Sequence, residues 1–139
     1  MFVFTKITKM NIKGEKILVN KSAEDIYTLA SQPSEFKKFM PETIDKFEAD
    51  EDGFVFALKG MPEIALKMKE RIPYSKIILS SAKETLNFDL SLLIDQVTES
   101  SSEVQFTFDG KFNMFISAMV EKPLKNLIKA LTEGVSKIS

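Results

Sequence analysis

The chain has 139 residues, enough for one domain that buries roughly two-thirds of the surface its unfolded form exposes. Nineteen basic residues against twenty acidic ones leave a formal charge of -1, which removes the long-range pull toward phosphate and argues against nucleic acid as a partner. Cysteine and histidine are both absent, so Ser-His-Asp and Cys-His nucleophilic systems, Cys/His zinc sites, histidine-ligated haem and disulfides are excluded.

Any chemistry must therefore run on carboxylates, lysines, hydroxyls, the single Arg71 or a cofactor, and the sequence points to no cofactor and no metal. Hydrophobic residues make up 44%, and twelve of the fourteen aromatics are Phe, a composition that can both fold and line a cavity. The N-terminus lacks an apolar run of signal-peptide length, and nowhere do about 18 apolar residues follow one another. The expectation is a soluble, cytoplasmic protein with no stable membrane insertion.

In chain order, Phe2 to Val19 has strand character, with Gly14 as a bulge or bend; Met10 is as good a start as Met1. Ser22 then caps a helix reaching about Ala30, with Asp25 near its positive end. Pro33 restarts the chain, and Ser34 to Met40 reads as a second short helix stopped before Pro41.

From Ile44 to Lys111 the period becomes two, and turn residues recur every 8–12 or so residues, the mark of an antiparallel meander. The expected strands are Ile44–Ala49, Phe54–Leu58, Ile64–Ile72, Ser75–Ser80, Leu86–Val97 and Val104–Phe112, seven with the N-terminal one. Asp50-Glu51-Asp52-Gly53 is an acidic turn whose Gly is expected to tolerate positive φ, Pro73-Tyr74 breaks a ladder, and Glu99 to Ser102 forms a hairpin loop. The acidic turn lacks the alternating ligands of a calcium loop and reads as a solvated hairpin.

The tail from about Asn113 to Ile138 switches to helical spacing through Ile116, Val120, Leu124, Leu127, Leu131 and Val135. Pro123 is expected to kink it near Met119. Lys122, Lys125 and Lys129 form a basic stripe, read as the wet face of that helix. One domain, 1–139, is expected, of α+β class: two short helices between the first and second of seven strands, and a curved sheet around a long C-terminal helix.

Alternation makes one sheet face heavily apolar, with Phe54, Phe56, Met68, Phe88, Leu90, Phe106 and Phe108. One rod laid across a bent sheet is expected to leave a gap, which Met61, Met114, Met119 and Val120 would help to line. Each of these residues is more often plain core than ligand contact. Parity also puts Glu70 on that face, where a carboxylate would anchor a ligand's polar end or act as acid/base; a solvated strand end is the plainer reading. Arg71 is expected outward in a surface ion pair, and Tyr27 and Tyr74 as packing residues.

Two stretches carry a resemblance. KILVNKSAEDIYTLASQPSEFKKFMP is similar to the first strand and paired helices, and EKPLKNLIKALTEGVSKI to the terminal helix, of the helix-grip fold of the START-like superfamily, which includes birch-allergen, polyketide cyclase/dehydrase-like and lipid-transfer proteins. The resemblance implies an internal cavity for a lipid, sterol, polyketide or other apolar small molecule, without implying a reaction. Cyclase-like members usually place polar residues, often His, in that cavity, and this chain has none.

Carriage of a hydrophobic small molecule is the leading expectation. A cyclase- or dehydratase-like enzyme using Glu70 with Tyr or Lys, and a co-chaperone-like interaction module, are the alternatives. Ligand identity and oligomeric state are not written in the sequence.

Overall fold

The computed structural model describes residues 7–42, 44–58, 63–83 and 87–138. Strands β1 (Ile7–Lys13) and β2 (Ile17–Val19) come first, then helix α1 (Ala23–Ala30), a 3-10 helix (Pro33–Phe39), six strands and a long helix. The strands are β3 (Ile44–Ala49), β4 (Gly53–Leu58), β5 (Ile64–Ile72), β6 (Lys76–Ser81), β7 (Asn87–Thr98) and β8 (Ser101–Asn113), and the helix is α2 (Met114–Ser136).

All neighbours pair antiparallel in the order β1-β8-β7-β6-β5-β4-β3. The expected N-terminal strand is split at Gly14. Both pieces run along one edge of β8, β1 opposite Thr107–Asn113 and β2 opposite Ser102–Val104. The Gly14 amide still donates to the Phe106 carbonyl at 2.8 Å, and the Gln105 side chain donates to the Gly14 carbonyl at 2.9 Å, so the break is bonded rather than open.

Local chemistry sets the ends of the helices. The Ser22 hydroxyl accepts from the Asp25 amide at 3.1 Å, and the Asn113 side-chain oxygen accepts from the Ile116 amide at 2.9 Å, each satisfying one of the orphan donors of a helix start. The second short helix is 3-10 rather than α: Pro33 opens it and Pro41 follows its cap, leaving seven residues to turn a tight corner. Helix α2 continues through Pro123 for 23 residues, about 35 Å.

Three turn details differ from expectation. Gly53 does not carry positive φ; its missing side chain makes room for the Leu66 carbonyl of the paired strand. Asp50 shapes that turn instead, its carboxylate accepting from the amides of Asp52 and Gly53 at 2.8 and 2.9 Å. Tyr74 is the residue with positive φ, 65°, among the described non-glycines. Finally, the β7–β8 turn is only Glu99-Ser100, because Ser101 and Ser102 are already paired with Thr98 and Gln96 and are buried.

Helix α2 lies on β8, β1, β2 and the 3-10 helix, while α1 lies on β6 and β7. One apolar core joins the inner face of β4 to β8 with Ile26, Phe36 and Phe39 from the short helices and Leu124, Leu127, Leu131 and Val135 from α2. Among the described residues no helix is long and apolar enough to cross a membrane.

Candidate functional site

The interior between helices and sheet has two unlike ends. At one, the 3-10 helix inserts Phe36 and Phe39, both essentially fully buried. Phe36 stacks on Phe54 with centroids 4.9 Å apart and meets Phe39 edge-on at 4.9 Å; both approach Phe106 at 6.3 to 6.4 Å. Phe47 stacks on Phe54 at 5.3 Å, and Phe56 lies 5.8 Å from Phe54. Offset and edge-on pairs at these separations are the packing of an aromatic core. Four of the expected contacts, Phe54, Phe56, Phe106 and the fully buried Leu90, are core here.

At the other end the helix stands off the sheet. Under the first half of α2 there is an open hollow of about 220 Å³ lined by Ile64, Ala65, Phe88, Phe112, Val120, Pro123 and Leu124, with Glu63, Ser81 and Lys83 completing the wall. Phe88 stacks on Phe108 at 5.0 Å, and Phe108 on Phe112 at 6.2 Å, so a sheet-borne aromatic row supports this space from below. A second, wider depression of about 440 Å³ runs between α2 and the β1–β2 turn, but Lys13, Glu15, Lys125, Lys129 and Glu133 make it a charged surface groove.

The expected lining residues divide accordingly. Phe88 and Val120 line the hollow, and Phe108 backs it. Met68 is half-buried on β5, away from its wall. Met114 and Met119 are 58% and 74% exposed on the outward side of α2, beside Phe115 at 82%, because the helix turns Ser117, Val120 and Leu124 toward the sheet instead. Met61 lies outside the described residues.

Glu70 does not lie on the apolar face, and the cause is one residue. The β5–β6 register shifts between Met68 and Glu70: Met68 pairs with the buried Leu79, but Glu70 pairs with Ile78 on the opposite face. A bulge at Lys69 inverts parity for everything after it. Glu70 is therefore exposed; Arg71 is exposed too, as expected, but it pairs in the ladder with the buried Ile77 and reaches α1 instead of an acidic partner. Its guanidinium donates from Nε and Nη2 to the Ser31 carbonyl at 3.2 and 2.9 Å, closing the end of α1. Tyr74 meets Tyr27 edge-on at 5.6 Å in the same region.

Phe112, Pro123 and Leu124 also line the hollow, beyond the residues expected there. Phe112 was findable, since it continues the alternation of Phe106 and Phe108 across Gly110. Lys83 had no such signal, because a lysine after a strand is ordinarily solvated.

The polar inventory of the hollow is short. Ser81 is engaged in its own turn, its hydroxyl accepting from the Lys83 amide at 3.2 Å and donating to the Lys83 carbonyl at 3.1 Å. Glu63 is paired with Lys46 at 3.0 Å, and this contact, with Glu48 3.8 Å from the same ammonium, raises the Lys46 pKa above its ordinary 10.5. The Lys83 ammonium has no ion-pair or hydrogen-bond partner among the described residues. No group of three or more potential metal-ligating side chains occurs among the described residues.

No protein-family model matches the sequence, and no curated protein matches it. Solved structures do. Norcoclaurine synthase from Thalictrum flavum, in complex with dopamine and hydroxybenzaldehyde, superposes with a TM-score of 0.72 at 16% identity over 95% of this chain and 87% of that one. A truncated form of that enzyme gives 0.71 at 16% identity, over 99% and 97% of the two chains. A START superfamily protein from Mycobacterium smegmatis gives 0.64 at 14% identity, over 93% and 99%. The chain thus has the helix-grip fold of START-like and birch-allergen-like proteins, with the antiparallel sheet and long terminal helix that define it. At such identities the likeness extends to the fold alone.

Proposed function

We propose that this protein binds and carries a small apolar molecule in the hollow between the first half of α2 and the β5–β8 end of the sheet. One observation carries the reading: the interior is filled with Phe at the 3-10 helix end and left open, with an apolar wall, under Val120 and Leu124. Buried apolar wall and few polar groups are what small-molecule sites offer.

Size limits the ligand. A space of about 220 Å³ is below the roughly 300–1,000 Å³ of drug-sized sites. A single ring or a short acyl chain suits it better than a sterol. The structural likeness to a synthase solved with dopamine and hydroxybenzaldehyde supports that scale of ligand.

Enzymatic use of Glu70 loses its support, since a carboxylate on the solvent face is not enclosed beside the hollow. The interaction-module reading has one observation in its favour, the exposed Met114, Phe115 and Met119 on α2. Native mass spectrometry of gently purified protein, with a thermal-shift screen of short fatty acids and single-ring aromatics, separates the two. A retained or stabilising small molecule supports the carrier; no shift with any class, together with one stoichiometric protein partner in a pull-down, supports the module.

A further inference from the structure

We infer that the ligand of this hollow is an acid: a short hydrophobic tail ending in a carboxylate held at the mouth by Lys83. The inference rests on the carrier reading above and narrows it to a chemical class.

Three side chains of the wall carry polar groups: Glu63, Ser81 and Lys83. A carbonyl ligand would look for the Ser81 hydroxyl proton, but that proton is already donated to the Lys83 carbonyl; a hydroxyl ligand finds only the one lone pair that the Lys83 amide leaves. A cationic ligand would look for Glu63, whose carboxylate already holds the Lys46 ammonium at 3.0 Å. That pairing also mutes the repulsion Glu63 would exert on an anion, and Glu48, the other carboxylate near Lys46, does not line the hollow. What remains is the exposed Lys83, a cation unpaired among the described residues, beside a wall of Phe88, Phe112, Val120 and Leu124.

An apolar wall with a cation at its opening that is unpaired among the described residues is complementary to an amphiphile whose charged end stays near water. Burial of the tail supplies affinity, and the ammonium supplies the choice of head group. A partly hydrated ion pair of this kind is worth about fivefold in affinity at most, and less as salt rises.

Protein-observed NMR titration with three probes that share an octyl tail, nonanoate, octan-1-ol and octylammonium, tests this. Nonanoate should bind about fivefold more tightly than octan-1-ol at low ionic strength, octylammonium should bind most weakly, and raised salt should shrink the spread. Lys83→Gln should bring nonanoate down to the level of octan-1-ol, and Lys83→Glu should reverse the order in favour of octylammonium. Equal binding of acid and alcohol by the unaltered protein, or a nonanoate preference that survives Lys83→Gln, overturns the acid assignment and leaves the carrier standing. Failure of all three probes to perturb residues of the hollow overturns both.

Discussion

Gly134 of α2 lies directly against the backbone of Phe39: a Cβ built at 134 would collide with the Phe39 carbonyl oxygen, fall 2.5 Å from its carbonyl carbon and 3.0 Å from its Cα. This contact seats the second half of α2 on the 3-10 helix and so fixes which end of the interior is closed. Gly134→Ala gains up to about 1 kcal/mol of helix propensity yet forces two backbones apart. The net expectation is a loss of about 2 kcal/mol, read as a lower urea midpoint with an unchanged slope. A more stable Ala variant would show that the contact does not constrain the helix.

Phe36 is the plug of the closed end. It is 1% exposed and touches Phe39 and Phe54 at 4.9 Å each. Phe36→Ala should cost about 3–5 kcal/mol in chemical unfolding. In whatever fraction stays folded, the interior should open from the 3-10 helix end, and longer acyl chains should then bind better than they do to the unaltered protein.

Val120 tests the open end without touching the plug. It is half-buried on the wall of the hollow, so Val120→Trp should fill much of the 220 Å³. Small-molecule binding should fall more than tenfold in fluorescence or NMR titration, while the melting temperature changes by only a few degrees. Retained affinity in a folded Trp variant would place the ligand elsewhere.

Arg71 and Glu70 are neighbours with different jobs. Arg71→Ala should destabilise the protein by about 1 kcal/mol, since it removes two donors from the Ser31 carbonyl at the end of α1. Arg71→Lys should recover only part of it, because an ammonium lacks the planar fork. Glu70→Gln should leave both stability and ligand binding unchanged, as its side chain is exposed beyond the bulge.

Lys46 supplies a pH signature. The Glu63 hydrogen bond is the largest cause of its raised pKa, followed by the charges of Glu48 and Glu63. A raised value in the folded state means that this contribution is whole below the ordinary lysine pKa and disappears as pH climbs through Lys46's own value. An NMR titration of the lysine side chains should find Lys46 among the last to deprotonate, and Glu63→Gln should return it toward the ordinary range.

Strand period, turn residues, the Ser22 cap and the three-and-four spacing of α2 made the order of elements legible from residues alone, because each is decided within a few positions of the chain. Sheet face was legible for Phe54, Phe88, Leu90 and Phe106, where alternation runs uninterrupted. It failed at Glu70, and hid the reach of Arg71 toward α1, because a bulge is a property of two strands in register, and no single strand announces it.

The site needed the third dimension for the same reason. That the chain would carry an oily interior under a terminal helix followed from composition and periodicity; which part of that interior is occupied did not. Phe36 and Phe39 close one end because the 3-10 helix drops them between β4 and α2, and beside the other Lys83 has no partner among the described residues, where Glu63 is taken up by Lys46 from a distant strand. Local sequence sets what each residue prefers, whereas packing among residues far apart in the chain decides where space and charge are left over.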